Sequence, residues 1–141
     1  MLEKEFERLY LKLRADFYQR LFARVKEHEG SLSATEAFCA EVIFLLKRPS
    51  IGEFANFINI SQSNATYKIN SLIAKGYIKK TPSSRDKREY RLEVTSKFLD
   101  YYGLSSSYIR DIMTKIREDL SEEEAESLES AIKKILNELE K

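Results

Sequence analysis

With 141 residues the chain is long enough to bury a core without disulfide or metal support, and one compact unit spanning 1–141 is the expectation. A hydrophobic fraction of 43%, a charged fraction of 33% and a formal net charge of +1 are ordinary for a globular protein and carry no overall polybasic or polyacidic bias. The lone Cys39 cannot form an internal bridge, no stretch approaches the roughly 20 apolar residues of a membrane span, and the alternating acidic and apolar start lacks a secretory pattern, so a cytoplasmic protein with no membrane partner is expected.

Residues 3–27 place Phe6, Leu9, Tyr10, Leu13, Phe17, Leu21 and Val25 at three- and four-residue steps, one broad apolar face of a long helix that Gly30 ends. Ser33 with Glu36, Ser50 with Glu53 and Ser121 with Glu124 match the Ser-x-x-Glu capping box, which fixes three helix starts. From 33 to 47, Phe38, Val42, Leu45 and Leu46 share a face with Ile43 and Phe44 beside them, so this helix is apolar nearly all round and expected at the centre. Pro49 forbids its continuation.

Ser50 opens a short helix with Ile51, Phe54, Ala55 and Ile58 on one stripe; the chain turns at Ile58, Asn59 and Ile60, and Ser61 caps a second helix. There Ala65, Ile69, Leu72 and Ile73 form a narrow apolar stripe, with Ser63, Asn64, Tyr67 and Ser71 opposite and Lys68 at one edge. Gly76 stands where a left-handed C-cap is needed. Two helices joined by a few residues, the second thinly anchored and exposing uncharged hydrogen-bonding side chains from its first turns, match the needs of a recognition helix in the major groove of double-stranded DNA. The expected reading residues are Gln62, Ser63, Asn64, Thr66, Tyr67 and Lys68.

After Gly76 the period becomes alternating: a strand at 77–81, a turn at 82–88 and a returning strand at 89–94, with Tyr90, Leu92 and Val94 on one side and Glu89, Arg91 and Glu93 on the other. The hairpin has a basic tip in Arg85, Lys87 and Arg88, suited to phosphates or to the minor groove. From Lys75 to Arg91 seven basic residues face two acidic ones, whereas from Arg117 to Lys141 nine acids face four bases. Such polarity fits a DNA-facing surface, or a chance clustering of solvated charge. Helix resumes from Thr95 to Leu120, with a bend near Gly103, and a last helix from Ser121 to Leu139 carries a seam of Ala125, Leu128, Ile132, Ile135, Leu136 and Leu139. The seams at the two ends of the chain are wider than one small core needs, which points to a homodimer.

In this order of elements, and in the Asp86-Lys87-Arg88 motif followed by Val94 and Thr95, the chain resembles the multiple-antibiotic-resistance regulator (MarR) family over essentially its whole length. The resemblance implies a mainly α fold with a small β-hairpin wing, a winged helix-turn-helix at 33–94, and dimerisation helices at 1–30 and 95–141. It implies a homodimeric regulator, as a repressor on a palindromic operator, relieved by a small aromatic or lipophilic effector. Arg88 would be the minor-groove arginine and Asp86 the carboxylate that orients the wing. The family often carries an arginine where Tyr67 or Lys68 stands, and its oxidant sensors place their cysteine in the first helix rather than the second.

Other features admit two readings each. Cys39 is a small buried hydrophobe or a redox sensor. Phe17, Phe44, Tyr101 and Tyr108 are core aromatics or the lining of an effector pocket. His28, between Glu27 and Glu29, reads as a solvated residue, and the Glu122, Glu123 and Glu124 run as helix-start electrostatics. One histidine, one cysteine and four scattered glycines give no nucleophile with a base, metal constellation or phosphate loop, so no catalytic residue, metal or cofactor is expected. A winged helix used only to bind protein is the alternative reading.

Overall fold

Ser33 begins the helix on which the first half of the fold packs: its hydroxyl accepts the Glu36 N–H at 3.2 Å, and its own N–H donates to Glu36 Oε1 at 3.2 Å. In a computed structural model of the chain, residues 1–27, 32–83, 85, 88–102 and 107–141 are described, the backbone alone at 24–27, 101–102 and 107. The order is α1 (Leu2–Glu27), α2 (Ala34–Leu46), α3 (Ile51–Ile58), α4 (Gln62–Ala74), β1 (Ile78–Pro82), β2 (Tyr90–Val94), α5 (Ser96–Tyr102), α6 (Ser107–Asp119) and α7 (Glu122–Leu139). The chain divides into two compact units, Met1–Leu104 and Ser105–Lys141. Gly30, His28 and the bend expected at Gly103 lie outside the described residues. Within the helix expected across 95–120, the described parts are α5 to Tyr102 and α6 from Ser107.

In the first unit, Leu21 of α1, Ile43 of α2, Phe54 of α3, Ile69 and Leu72 of α4, Ile78 and Leu92 of the hairpin and Phe98 of α5 are sealed into one cluster. Each contributes about 1.5 to 3 kcal/mol by its burial. The face of α2 that is buried differs from the expected one. Ala37, Ala40 and Ile43 carry it, while Leu45 is 59% exposed, because the two alanines let neighbouring elements approach the helix closely and the bulkier Phe38 and Val42 are left at its edge. Tyr18 and Phe22 of α1 meet Phe38 edge-on, with ring centroids 5.8 and 6.4 Å apart. Of the apolar face foreseen for α1, Leu21 is the one buried residue among the described side chains; Phe6, Leu9 and Tyr10 stay about half-exposed.

The strands pair antiparallel from Ile78 with Val94 to Pro82 with Tyr90. Leu92 N–H donates to the Pro49 carbonyl at 2.9 Å, so the α2–α3 link runs along the outer edge of β2, where a proline with no N–H to offer costs the sheet nothing. Leu92 is buried as its alternation requires, but Tyr90 is 48% exposed, being at the end of the sheet beyond the core.

In the second unit, Ser121 and Glu124 form a complete capping box at the start of α7. Glu122, Glu123 and Glu124 occupy its first turn, where the positive end of the helix dipole favours acids. No residue of α7 is buried; Leu128, Ile132, Ile135 and Leu136 are each between 39% and 47% exposed. Met113, Leu120, Leu128, Ile132 and Leu136 line a groove of about 370 Å³ along α6 and α7.

Candidate nucleic-acid interface

The helix-turn-helix is built from local hydrogen bonds. Ser50 Oγ accepts the Glu53 N–H at 3.1 Å and starts α3. The foreseen capping box is only half formed, because the Glu53 carboxylate turns away to Arg91 Nη1 at 2.8 Å, a charged partner that outbids a backbone N–H. Asn59 ends α3 in the left-handed region at φ 58°, a conformation asparagine tolerates. Two residues later Ser61 Oγ accepts the Asn64 N–H at 3.2 Å and α4 begins.

One side of α4 is pinned by Ala65, Ile69 and Leu72, all fully buried, as its stripe foretold. Gln62, Ser63, Asn64 and Tyr67 are exposed, Tyr67 by 77%. Thr66 and Lys68 are half-buried. The Thr66 hydroxyl donates back to the Gln62 carbonyl at 2.9 Å, so its proton serves the helix. At the other end Gly76, at φ 82°, closes the helix: its N–H bonds the Ile73 carbonyl and the Tyr77 N–H the Leu72 carbonyl, each at 3.0 Å, the paired bonds of a Schellman motif.

Side chains distant in sequence then fix α4 and the hairpin, and none of these was foreseen. Glu36 of α2 accepts from Lys75 Nζ on both oxygens, at 2.9 and 3.0 Å, and from Ser71 Oγ at 3.1 Å. Burial pushes this carboxyl up, but hydrogen bonds from Lys75, the Ser33 N–H and Ser71 outweigh it and hold Glu36 below the usual carboxylate value. Thr95 Oγ1 donates to the Gly76 carbonyl at 2.7 Å, and its N–H to the Tyr77 carbonyl at 3.0 Å, which joins the end of the hairpin to the end of α4. Lys97 Nζ donates to the Lys75 carbonyl at 2.8 Å and lies over the Tyr77 ring at 4.6 Å.

The hairpin tip is described in part. Arg85 and Arg88 are exposed; Asp86 and Lys87 lie outside the described residues. Behind the tip, Arg48 donates to Thr81 Oγ1 at 3.1 Å and meets Glu93 at 2.5 Å, and Lys79 reaches Glu93 at 3.4 Å. Of the basic residues between 75 and 91, Lys75, Lys79 and Arg91 are thus held by carboxylates.

Cys39 is 6% exposed; burial pushes its thiol up, partly offset by the charge of Lys68 and reinforced by Glu36. Among the aromatics proposed for an effector, Phe17 is half-buried against the core and Phe44 is 37% exposed on α2, both in the first unit, while Tyr108 is half-buried in the second. The Tyr101 side chain lies outside the described residues. Glu41, which no sequence signal marked, is only 8% exposed in α2, and its Oε2 has no hydrogen-bond partner among the described residues. Burial pushes its carboxyl up to about 7. Among the described residues no three His, Cys, Asp or Glu side chains converge as metal ligands, and no helix is long and apolar enough to cross a membrane.

The sequence model of the MarR family matches residues 32–90, from the start of α2 to the first residue of β2. No curated protein matches the chain by sequence at a significant level. Among solved structures, the chain is similar to FabT of Streptococcus pneumoniae in complex with DNA, with 23% identity, 96% of this chain and 97% of that one covered, and a TM-score of 0.52. It is similar to a MarR-like transcriptional regulator of Thermotoga maritima, with 22% identity, coverage of 97% and 96%, and a TM-score of 0.60. A MepR mutant from a multidrug-resistant S. aureus clinical isolate is 14% identical, covers 99% and 97%, and has a TM-score of 0.61. Identities this low speak to the fold, which is the mainly helical winged helix-turn-helix foreseen from the sequence. The family rests on the matched segment: residues 32–90, which build the helix-turn-helix and the wing, match the MarR family.

Proposed function

We propose that this MarR-family transcription regulator binds double-stranded DNA sequence-specifically as a homodimer on a palindromic operator, and that it is a cytoplasmic repressor released by a small aromatic or lipophilic effector. One observation carries the reading. The first turns of α4 present Gln62, Ser63, Asn64 and Tyr67, uncharged or nearly so and exposed, on a helix fixed at both ends and flanked by a hairpin with a basic tip. Hydrogen-bonding side chains in that position reach base edges in the major groove, with Thr66 and Lys68 at the border of the contact. Arg85, Lys87 and Arg88 hold phosphates or enter the minor groove, and Asp86 orients the tip. The similar FabT structure is a complex with DNA, which supports the same use of the fold.

In this reading residues 33–94 are the DNA-binding lobe, and 1–30 and 95–141 the dimerisation region. The apolar side chains left exposed on α1 (Phe6, Leu9, Tyr10) and on α7 (Leu128, Ile132, Ile135) support it, since a two-fold partner removes them from water and sets two recognition helices roughly 34 Å apart. Phe17, Phe44, Tyr101 and Tyr108 are the residues assigned to the effector. Selection from a random duplex pool followed by a salt-dependent gel shift tests the function. A palindromic consensus is expected, bound with an affinity that falls steeply with salt. Failure to bind any duplex at low salt overturns the reading, and a monomer in sedimentation at micromolar concentration overturns the dimer.

A further inference from the structure

Between the α2–α3 link and the turn end of the hairpin lies a cleft of about 300 Å³ lined by Lys47, Arg48, Ser83, Arg85 and Arg91. Among the described residues every lining side chain is a cation or a hydroxyl. The link enters it by an uncommon route: Lys47 and Arg48 are consecutive non-glycine residues in the left-handed region, at φ 54° and 61°. Each carries a cost of about 1 to 2 kcal/mol, which the surrounding contacts must hold in place. The Lys47 N–H bond to the Phe44 carbonyl and the Leu92 N–H bond to the Pro49 carbonyl anchor the two ends of the link, and Arg48 is thereby thrown across β1 and β2 to Thr81 and Glu93.

Among the described residues the charges around the cleft do not balance. Arg48 is met by Glu93, and Arg91 by Glu53 at 2.8 Å and Glu89 at 3.4 Å. Lys47 and Arg85, both exposed, have no carboxylate within ion-pair distance among the described residues. Ser83 is 8% exposed, and its Oγ already accepts the Arg85 N–H at 3.3 Å, so its hydroxyl proton is left to donate. Two cations with no carboxylate partner among the described residues, one donating hydroxyl and two guanidinium forks already oriented by carboxylates form the donor set that a tetrahedral oxyanion needs.

We propose that this cleft seats a phosphate group. Two sources share that chemistry: a phosphodiester of bound DNA, held beside the hairpin tip, and a free phosphate anion. The first rests on the DNA-binding reading above; the second does not. A seated phosphodiester is a backbone contact, so it adds affinity and orients the lobe while leaving base preference unchanged.

Lys47→Gln removes one of the unpaired cations at an exposed position, and Lys47→Gly removes the same charge while suiting the left-handed backbone. Measured on the duplex selected by the wild type, both variants are expected to lower the slope of log K against log salt by about one unit with the selected consensus unchanged. Lys134→Gln, an exposed lysine of α7, is expected to leave the slope as it is. In a second arm, inorganic phosphate is compared with chloride at matched ionic strength in thermal melts of the DNA-free wild type and of the Lys47→Gln, Arg85→Gln double variant. A lowered slope without phosphate protection assigns the seat to DNA. Protection of the wild type alone, with an unchanged slope, assigns it to free phosphate. If the wild type binds no duplex the functional reading fails, and the second arm alone decides the cleft. An unchanged slope together with no protection overturns the proposal.

Discussion

Glu36 holds Lys75 between both of its carboxylate oxygens, at 2.9 and 3.0 Å, while its Oε1 also closes the capping box on the Ser33 N–H. One side chain therefore starts α2 and fixes the far end of the recognition helix, where Ser71 adds a third tether. Glu36→Gln keeps the cap but loses the charge that Lys75 answers. The expected loss is about 1 kcal/mol, since the pair is partly exposed. The carboxyl is held below its ordinary value in the folded chain, so its stabilisation is full above the unfolded carboxylate pKa of about 4.3 and disappears as pH falls through the folded value. Urea melts of wild type and variant should differ near pH 7 and draw together as pH falls below the usual carboxylate range. An equal gap throughout would mean that packing, and not ionisation, is what the substitution removes.

Glu41 has the opposite sign. Burial pushes its folded-state carboxyl up to about 7, so the folded chain binds a proton that the unfolded chain has released between about pH 4.5 and pH 7. Stability from this group falls as pH rises through that window, by up to an amount on the order of 3 kcal/mol. Glu41→Gln removes the charged form and should raise the melting temperature relative to wild type at about pH 8, with little difference at about pH 5. A variant destabilised equally at both pH values would show that Glu41 is an acceptor the fold depends on.

The two carboxylates mark where sequence reading stopped. Helix starts at Ser33, Ser61 and Ser121, the αL turn at Asn59 and the closure at Gly76 rest on hydrogen bonds spanning three to five residues, so the chain's local order displays them. The hairpin was equally legible, within one residue at each strand, because its alternation reflects burial of Leu92 and partial burial of Val94. Glu36 reaches across 35 and 39 positions to Ser71 and Lys75, and Glu53 leaves its expected cap for Arg91 across 38. Such pairs depend on how the elements pack, which periodicity does not encode. The buried face of α2 escaped for a related reason: size, not hydrophobicity, chose Ala37 and Ala40 over Leu45.

Two glycines separate backbone need from open space. Gly76 has φ 82°, and a Cβ there would meet only the Lys97 side chain, at 3.6 and 3.7 Å. Gly76→Ala should therefore cost about 1 to 2 kcal/mol through backbone strain alone. Gly52 lies inside α3 with negative φ and its nearest neighbour for a Cβ is Ser50 Oγ at 3.9 Å. Gly52→Ala should stabilise by about 0.5 to 1 kcal/mol. Thermal melts that placed both changes on the same side of wild type would contradict this assignment of strain.

Asn64 combines a structural role for its backbone with an exposed side chain: its N–H is spent on the Ser61 cap, while its amide is exposed. An exposed amide at this place can pair bidentately with adenine, a contact that discriminates by about 1 to 3 kcal/mol. Asn64→Ala should then flatten sequence preference while leaving binding to random duplex nearly unchanged. Equal losses on both would make Asn64 a phosphate contact.

Arg88 tests the wing, because it is exposed at the tip and the returning strand behind it is registered residue by residue, Pro82 against Tyr90 and Thr81 against Arg91. That register, with the Ser83 N–H bonded to the Glu89 carbonyl at 2.8 Å, brings the two limbs of the hairpin together immediately behind Arg88. A guanidinium placed there gains from the negative potential of a narrow minor groove, and it does so as a planar fork as well as a charge. Arg88→Ala should weaken operator binding, lower the salt slope by about one unit, and leave the oligomeric state as in wild type. Arg88→Lys restores the charge without the fork, so the salt slope should return while only part of the affinity does. The order of the three affinities decides the mode of contact: lysine equal to arginine means a simple phosphate contact, and alanine equal to arginine across a salt series removes Arg88 from the interface and transfers the role to Arg85 or Lys87.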